Sequence, residues 1–189
     1  MSRKYLVLIG IVLASVLVCT YIVIEHHEPL NSAVDYAVHV DTGKKVHLDV
    51  HVYTDKESYV IGDIVTFGIA NDGNKTVMFS YGGPWEIHKE EKGEWIRIGM
   101  AEFGIDAEWR LRPGKKTGDP NVDEDESKWD TSGKHRHNKT DAAIRGNITL
   151  GRYRIVYSGI ISDSGDSDDF QNWRQKRYLF IKEFALQNA

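Results

Sequence analysis

An all-β, antiparallel sandwich behind a single N-terminal transmembrane helix is the fold this sequence predicts, and three observations predict it. Apolar and polar residues alternate with period two in segment after segment from Val46 onward, the pattern of strands buried on one face. Gly, Asn, Asp and Pro punctuate those segments at short intervals, as the turns of an antiparallel sheet require. The longest apolar run, Tyr5 to Ile24, stands near the amino terminus and contains no charged residue.

That run is the first element. At a helical rise of about 1.5 Å per residue it spans roughly 30 Å, the thickness of a bilayer's hydrocarbon core. A cleavable signal has a shorter apolar core followed by a small-residue site, whereas here apolar character continues through Val16 to Ile24 without one. A lipid-anchor reading would acylate Cys19, but Val18 precedes it and membrane-compatible residues follow. The run therefore reads as an uncleaved signal-anchor. Arg3 and Lys4 precede it and Glu25-His26-His27-Glu28 follow, so the positive-inside bias makes residues 1–4 a cytoplasmic tip and puts the carboxy-terminal part outside the cell membrane. Residues 25–45 are then a juxtamembrane linker and residues 46–189 the sandwich domain.

Setting aside Arg3 and Lys4, the remaining 22 Lys and Arg face 28 Asp and Glu, a net charge of −6 beyond the span. Nucleic acid needs a basic footprint, so it is excluded as a partner. The only cysteine lies in the span, which leaves the outward domain to hold itself by packing rather than by disulfides.

The strands follow in order. Val46, Leu48, Val50 and Val52 alternate with His47, Asp49 and His51. Ile64 to Ile69 leads into Asn71-Asp72-Gly73-Asn74, a hairpin signal built from residues tolerant of positive φ. Thr76 to Tyr81, Trp85 to Lys89 and Glu94 to Ile98 come next, the last two joined by a Lys92-Gly93 turn, and Trp109 to Leu111 stops at Pro113-Gly114. A long polar insertion precedes Arg152 to Tyr157 and Arg177 to Phe184. Helical alternatives are confined to a short turn at Phe184 to Asn188 or at Asp168 to Lys176.

Several of these residues also carry a resemblance. Thr54-Asp55-Lys56, Tyr59, Gly62-Asp63, Val65, Phe67 and Asn71 are followed by Trp85-Glu86-Ile87, Gly93-Glu94-Trp95-Ile96, Pro113-Gly114, Trp129-Asp130 and Gly151-x-Tyr153-Arg154-Ile155. In that order they resemble the immunoglobulin-like domains of prokaryotic surface proteins and are similar to the BsuPI-type proteinase-inhibitor domain, over about residues 46 to 158. The resemblance implies an immunoglobulin-like sandwich and raises peptidase inhibition as an activity, with the insertion Lys115 to Lys139 as the only long loop to carry it.

Candidate chemistry is sparse. His47, Asp49 and His51 share one face of a strand, but at about 3.3 Å per residue the two histidines stand too far apart for one ion. His135 and His137 sit in a basic polar segment. Asp119, Asn121, Asp123 and Asp125 space their oxygens like a calcium loop, yet Glu124 stands where the turn needs Gly. Asp163, Asp166, Asp168 and Asp169 form a second acidic group. Both acidic loops read as solvated, and whether either holds calcium is left open. There is no nucleophile elbow, no His-Glu-x-x-His and no phosphate-cradling glycine loop. The sequence thus predicts no catalytic, cofactor-binding or metal residue, and no enzyme.

Most of the five tryptophans are expected in the core, with Trp129 and Trp173, both in polar segments, the candidates for a partly exposed contact residue. Asn74, Asn138 and Asn147 head N-glycosylation sequons. The expectation is a membrane-anchored, outward-facing interaction module of the cell envelope, touching another surface protein or a second copy of itself. Its architecture resembles archaeal appendage accessory proteins of the archaellum stator kind. A peptidase-inhibitor-like domain and a glycan-binding module are the alternatives.

Overall fold

Fourteen strands and no helix make up the described residues of the computed structural model, which are 35–79, 85–101, 109–122, 125–132, 143–144, 147–162 and 177–188. They belong to the second of two units of the chain, Ala33–Ala189. The apolar run Tyr5 to Ile24, expected as an anchor, lies outside the described residues, among which no helix is long and apolar enough to cross a membrane.

The strands are β1 (Asp35–His39), β2 (Lys45–Val46), β3 (Val50–Thr54), β4 (Ser58–Val60), β5 (Ile64–Asn71), β6 (Thr76–Phe79), β7 (Trp85–Glu91), β8 (Glu94–Met100), β9 (Trp109–Leu111), β10 (Lys115–Lys116), β11 (Ser127–Asp130), β12 (Ala143–Ile144), β13 (Gly151–Ser162) and β14 (Arg177–Gln187). Ten form one sheet around the order β12-β8-β7-β13-β14-β1-β2, and β3, β5, β10 and β11 form the other. The long β13–β14 ladder, from Gly151↔Leu186 to Ile160↔Arg177, is the spine of the larger sheet. Shorter strands divide its two edges: β7 and then β6 line β13, while β1 and then β4 line β14. The β4–β14 pairing is parallel, whereas the other pairings are antiparallel.

Two pairs of strands lie end to end in the larger sheet. Phe79 pairs with Gly159 and Trp85 with Tyr157, so β6 and β7 continue one line along β13 on either side of residues 80–84. Trp109 lies opposite Phe79, and the Ala101 N–H donates to the Trp85 carbonyl, so β9 and β8 continue one line on either side of residues 102–108.

Alternation decides which side chains meet. Tyr153, Ile155 and Tyr157 of β13, Phe180, Phe184 and Leu186 of β14, and Trp85 and Ile87 of β7 turn inward to meet Val50, Val52, Val65, Phe67, Ile69 and Trp129 of the smaller sheet in a single core. Aromatic rings bridge the two sheets edge to face: Phe67 on Trp85 at 5.0 Å and Trp129 on Phe184 at 6.1 Å between centroids. Such pairs add about 0.5–1.5 kcal/mol each beyond the area they bury. Polar groups fix the corners. The Tyr153 hydroxyl donates to the Thr149 carbonyl and accepts from the Thr149 N–H, so the chain entering β13 is tied to its own side chain. Buried Asn71 donates to the Lys75 and Leu111 carbonyls, holding the β5–β6 turn against the end of β9.

The structure departs from the sequence-based expectation at four places. Residues 25–45 were expected as a linker, but Asp35–His39 is a strand hydrogen-bonded along β14. The strand expected over Val46 to Val52 is broken at 47–49, where the chain leaves β2 in the larger sheet for β3 in the smaller. Within the insertion after Pro113, Lys115–Lys116 and Ser127–Asp130 are strands that each pair with β5. Phe184 to Gln187 extends β14 rather than turning into helix, because Phe184 and Leu186 are needed by the core on one face while Ala185 pairs with Arg152 and Ser58. The helical alternative at Asp168 to Lys176 lies outside the described residues.

Candidate functional site on the outer face of the larger sheet

The face of β13 turned away from the core carries Arg152 and Arg154, the residues that alternate with buried Tyr153 and Ile155. Their cross-strand neighbours are Ala185 and Glu183 of β14 on one side and, for Arg154, His88 of β7 on the other. Glu86, His88 and Glu90 of β7 share this face, because Trp85 and Ile87 occupy the inward phase. A bulge in β8 completes the set. Ile87 pairs with Gly99 but His88 with Arg97, so Ile98 is the extra residue. The extra residue drops into the core, 8% exposed, and lets Trp95, Arg97 and Met100 stand together on the outer face despite their uneven spacing.

The side chains form a connected network. His88 Nε2 lies 2.8 Å from Glu86 Oε2, and Glu86 Oε1 accepts from Arg97 at 2.7 Å. On the other side of the ring, Arg154 Nη2 and Nε approach His88 Nδ1 at 3.0 and 3.3 Å. Arg152 pairs with Glu90 at 3.2 Å and with Glu183, and Glu183 accepts from the Tyr36 hydroxyl at 2.8 Å. Trp95 lies beneath both guanidinium groups, 4.5 Å from that of Arg154 and 5.7 Å from that of Arg152. Lys45 Nζ lies 4.0 Å from the centre of the Tyr36 ring.

Charge and burial shape the titrations here. Burial pushes His88 below its ordinary value of 6.5; the Glu86 hydrogen bond opposes this and the Arg154 and Arg97 charges reinforce it. Burial would raise Glu86, but hydrogen bonds from His88 and Arg97 and their charges outweigh it and hold the carboxyl below the usual range. Tyr36 is pushed up to about 12, first by burial and then by its bond to Glu183.

The residues singled out by sequence are not brought together. His47 and Asp49 are exposed in the crossover between sheets, and His51 faces Asp72 at 3.4 Å. Asp119 accepts from the Lys116 N–H at 3.0 Å, and Asn121 adopts φ 68°, so both shape a turn. Asp125 is exposed; Asp123, His135, His137, Asn138, Asp163, Asp166, Asp168, Asp169 and Trp173 lie outside the described residues. Among the described residues no three His, Cys, Asp or Glu are grouped to hold a metal. Trp129, one of the two candidates for partial exposure, is 1% exposed and belongs to the core. Asn74 and Asn147 are exposed.

Sequence reasoning missed Glu86, His88, Trp95, Arg97, Arg152, Arg154 and Glu183 as a group. Their signal was present as the polar phase of three alternating strands, but the cross-strand register that joins them needs the topology. Comparison with family models, with curated proteins and with solved structures yields no match.

Proposed function

We propose that the chain is a membrane-anchored, outward-facing, non-catalytic interaction module of the cell envelope, with an immunoglobulin-like sandwich that contacts a protein partner through the outer face of its larger sheet. The observation that carries this reading is the Trp95–Arg152–Arg154 cluster with Tyr36 at its border. Arg, Trp and Tyr are the residue types in which contact energy concentrates. Mounted on paired strands, with Arg152 held by Glu90 and Glu183 and Arg154 by His88, they lose little conformational freedom on binding.

Three features support the immunoglobulin-like reading. The order β8-β7-β13-β14 faces a sheet built on β3, β5 and β11, the Tyr153 hydroxyl closes a corner at the start of a late strand, and Trp85 of β7 is buried between the sheets. Ile155 stands two residues after that tyrosine, where antibody domains place a cysteine, in keeping with a domain free of disulfides. The anchor and its orientation rest on Tyr5 to Ile24 and its flanking charges.

The test is affinity purification of the full chain from its own membranes beside a Trp95→Ala/Arg154→Ala variant. Proteins retained by the natural chain are expected to be lost from the variant while both unfold at similar denaturant concentration. Retention of the same proteins by a folded variant would refute the assignment of this face.

A further inference from the structure

The network on the outer face fixes the protonation state of one of its members. A guanidinium has donors and no acceptor, so the His88 Nδ1 that faces Arg154 Nη2 at 3.0 Å must offer its lone pair. The ring proton is then on Nε2, donated to Glu86 Oε2 at 2.8 Å. His88 is thus a neutral connector, acceptor toward β13 and donor along β7. Its ring is also well enclosed, with the side chain 14% exposed.

We propose that His88 is a protonation-operated clasp: neutral, it holds Arg154 over Trp95, and protonated at Nδ1 it expels Arg154 and uncovers the indole. The cause is local. A proton on Nδ1 would set two donors and two positive charges face to face at hydrogen-bond distance, an arrangement with no favourable geometry. Six strands supply the charged or titratable groups of this face. Glu86 and Glu90 come from β7, Arg97 from β8, Arg152 and Arg154 from β13, Glu183 from β14 and Tyr36 from β1, with Lys45 of β2 over the Tyr36 ring.

With His88 neutral, Arg97, Arg152 and Arg154 match Glu86, Glu90 and Glu183 within the network, and Lys45 adds one positive charge at its border. Protonation adds a further positive charge and makes the face favour acidic partner groups more strongly. Arg154 has a destination, because Glu183 is its direct cross-strand neighbour. Burial puts the His88 step below pH 6.5, and hydrogen bonds from His88 and Arg97 hold Glu86 below its own ordinary value of 4.5. The use of the clasp to gate a partner rests on the interaction reading above, whereas the clasp itself needs no partner.

The experiment follows that distinction by using the full chain in detergent with no partner present. Trp85, Trp109 and Trp129 are at most 6% exposed, so in a Trp173→Phe background acrylamide quenching of the indole fluorescence reports chiefly on Trp95. As pH is lowered from about 7.5 through the range below 6.5, the quenching constant should rise by roughly twofold, in a single-proton step. His88→Gln, which keeps an acceptor for Arg154 and a donor for Glu86 without titrating, should give a flat profile. Should that variant fold poorly, the imidazole nitrogen NMR shifts of the natural chain serve instead, with the Nε2–H form expected at neutral pH. An unchanged quenching constant, a titration that survives in folded His88→Gln, or an Nδ1–H imidazole at neutral pH would each overturn the clasp.

Discussion

The two faces of β13 contrast sharply although the residues alternate along one strand. Tyr153, Ile155 and Tyr157 are completely buried against the smaller sheet, while Arg152 and Arg154 stand among ions and an indole on the opposite side. Burying an aromatic or branched side chain contributes roughly 1.5–3 kcal/mol, and an exposed ion pair contributes about 0–1 kcal/mol. One face therefore carries the stability of the domain, and the other can be altered at little cost to folding. Substitutions on the two faces should separate accordingly.

The largest effect is expected in the aromatic bridge between sheets. Phe67→Ala removes a ring that meets both Trp85 and Tyr157 and should cost about 3–5 kcal/mol in urea unfolding. Gly68→Ala comes next. A Cβ there would lie 2.0 Å from Thr117 Oγ1 and 2.6 Å from the Tyr53 hydroxyl, a clash worth about 1–3 kcal/mol. It would also disturb the bonds by which Tyr53 holds Thr117 and Glu126. Tyr153→Phe keeps the packing and deletes the corner bond to Thr149, for a loss of about 1 kcal/mol by the same measurement.

Much of the inner face is legible without a structure, because period two is imposed by the strand itself. Val50, Val52, Phe67, Ile69, Ile87, Tyr153 and Ile155 all fall on the apolar phase and all are buried. Legibility fails where pairing partners are distant in sequence. Asp35–His39 has only a modest apolar pattern, and its place is set by β14 almost 150 residues away. Trp129 looks like a loop residue because Lys128 and Asp130 flank it, yet Ser127 and Trp129 face inward on β11. The outer cluster fails for a further reason. The bulge at Ile98 resets the phase of β8, so no fixed spacing relates Trp95 and Arg97 to Met100.

The smallest stability effects belong to the outer face. Arg97→Ala removes a pair whose arginine side chain is 56% exposed and should change stability by less than about 1 kcal/mol. The pH dependence has a definite sign. The folded chain holds His88 below 6.5, so between that value and its folded titration point the unfolded chain binds more protons. The contribution of neutral His88 is present in full above pH 6.5 and fades as pH falls through the folded value. The Glu86 contribution follows below 4.5. Urea midpoints of the natural chain should therefore drop more than those of His88→Gln from about pH 7.5 to about pH 5. Equal drops would place the titrating group elsewhere.

Site-specific photo-crosslinking in native membranes tests the interaction surface most directly. A photoreactive residue at Met100, which is 37% exposed beside Glu86 on the outer face, should capture a discrete protein adduct. The same residue at exposed Lys128 on the smaller sheet should not. A discrete adduct at Lys128 with none at Met100 would contradict the account.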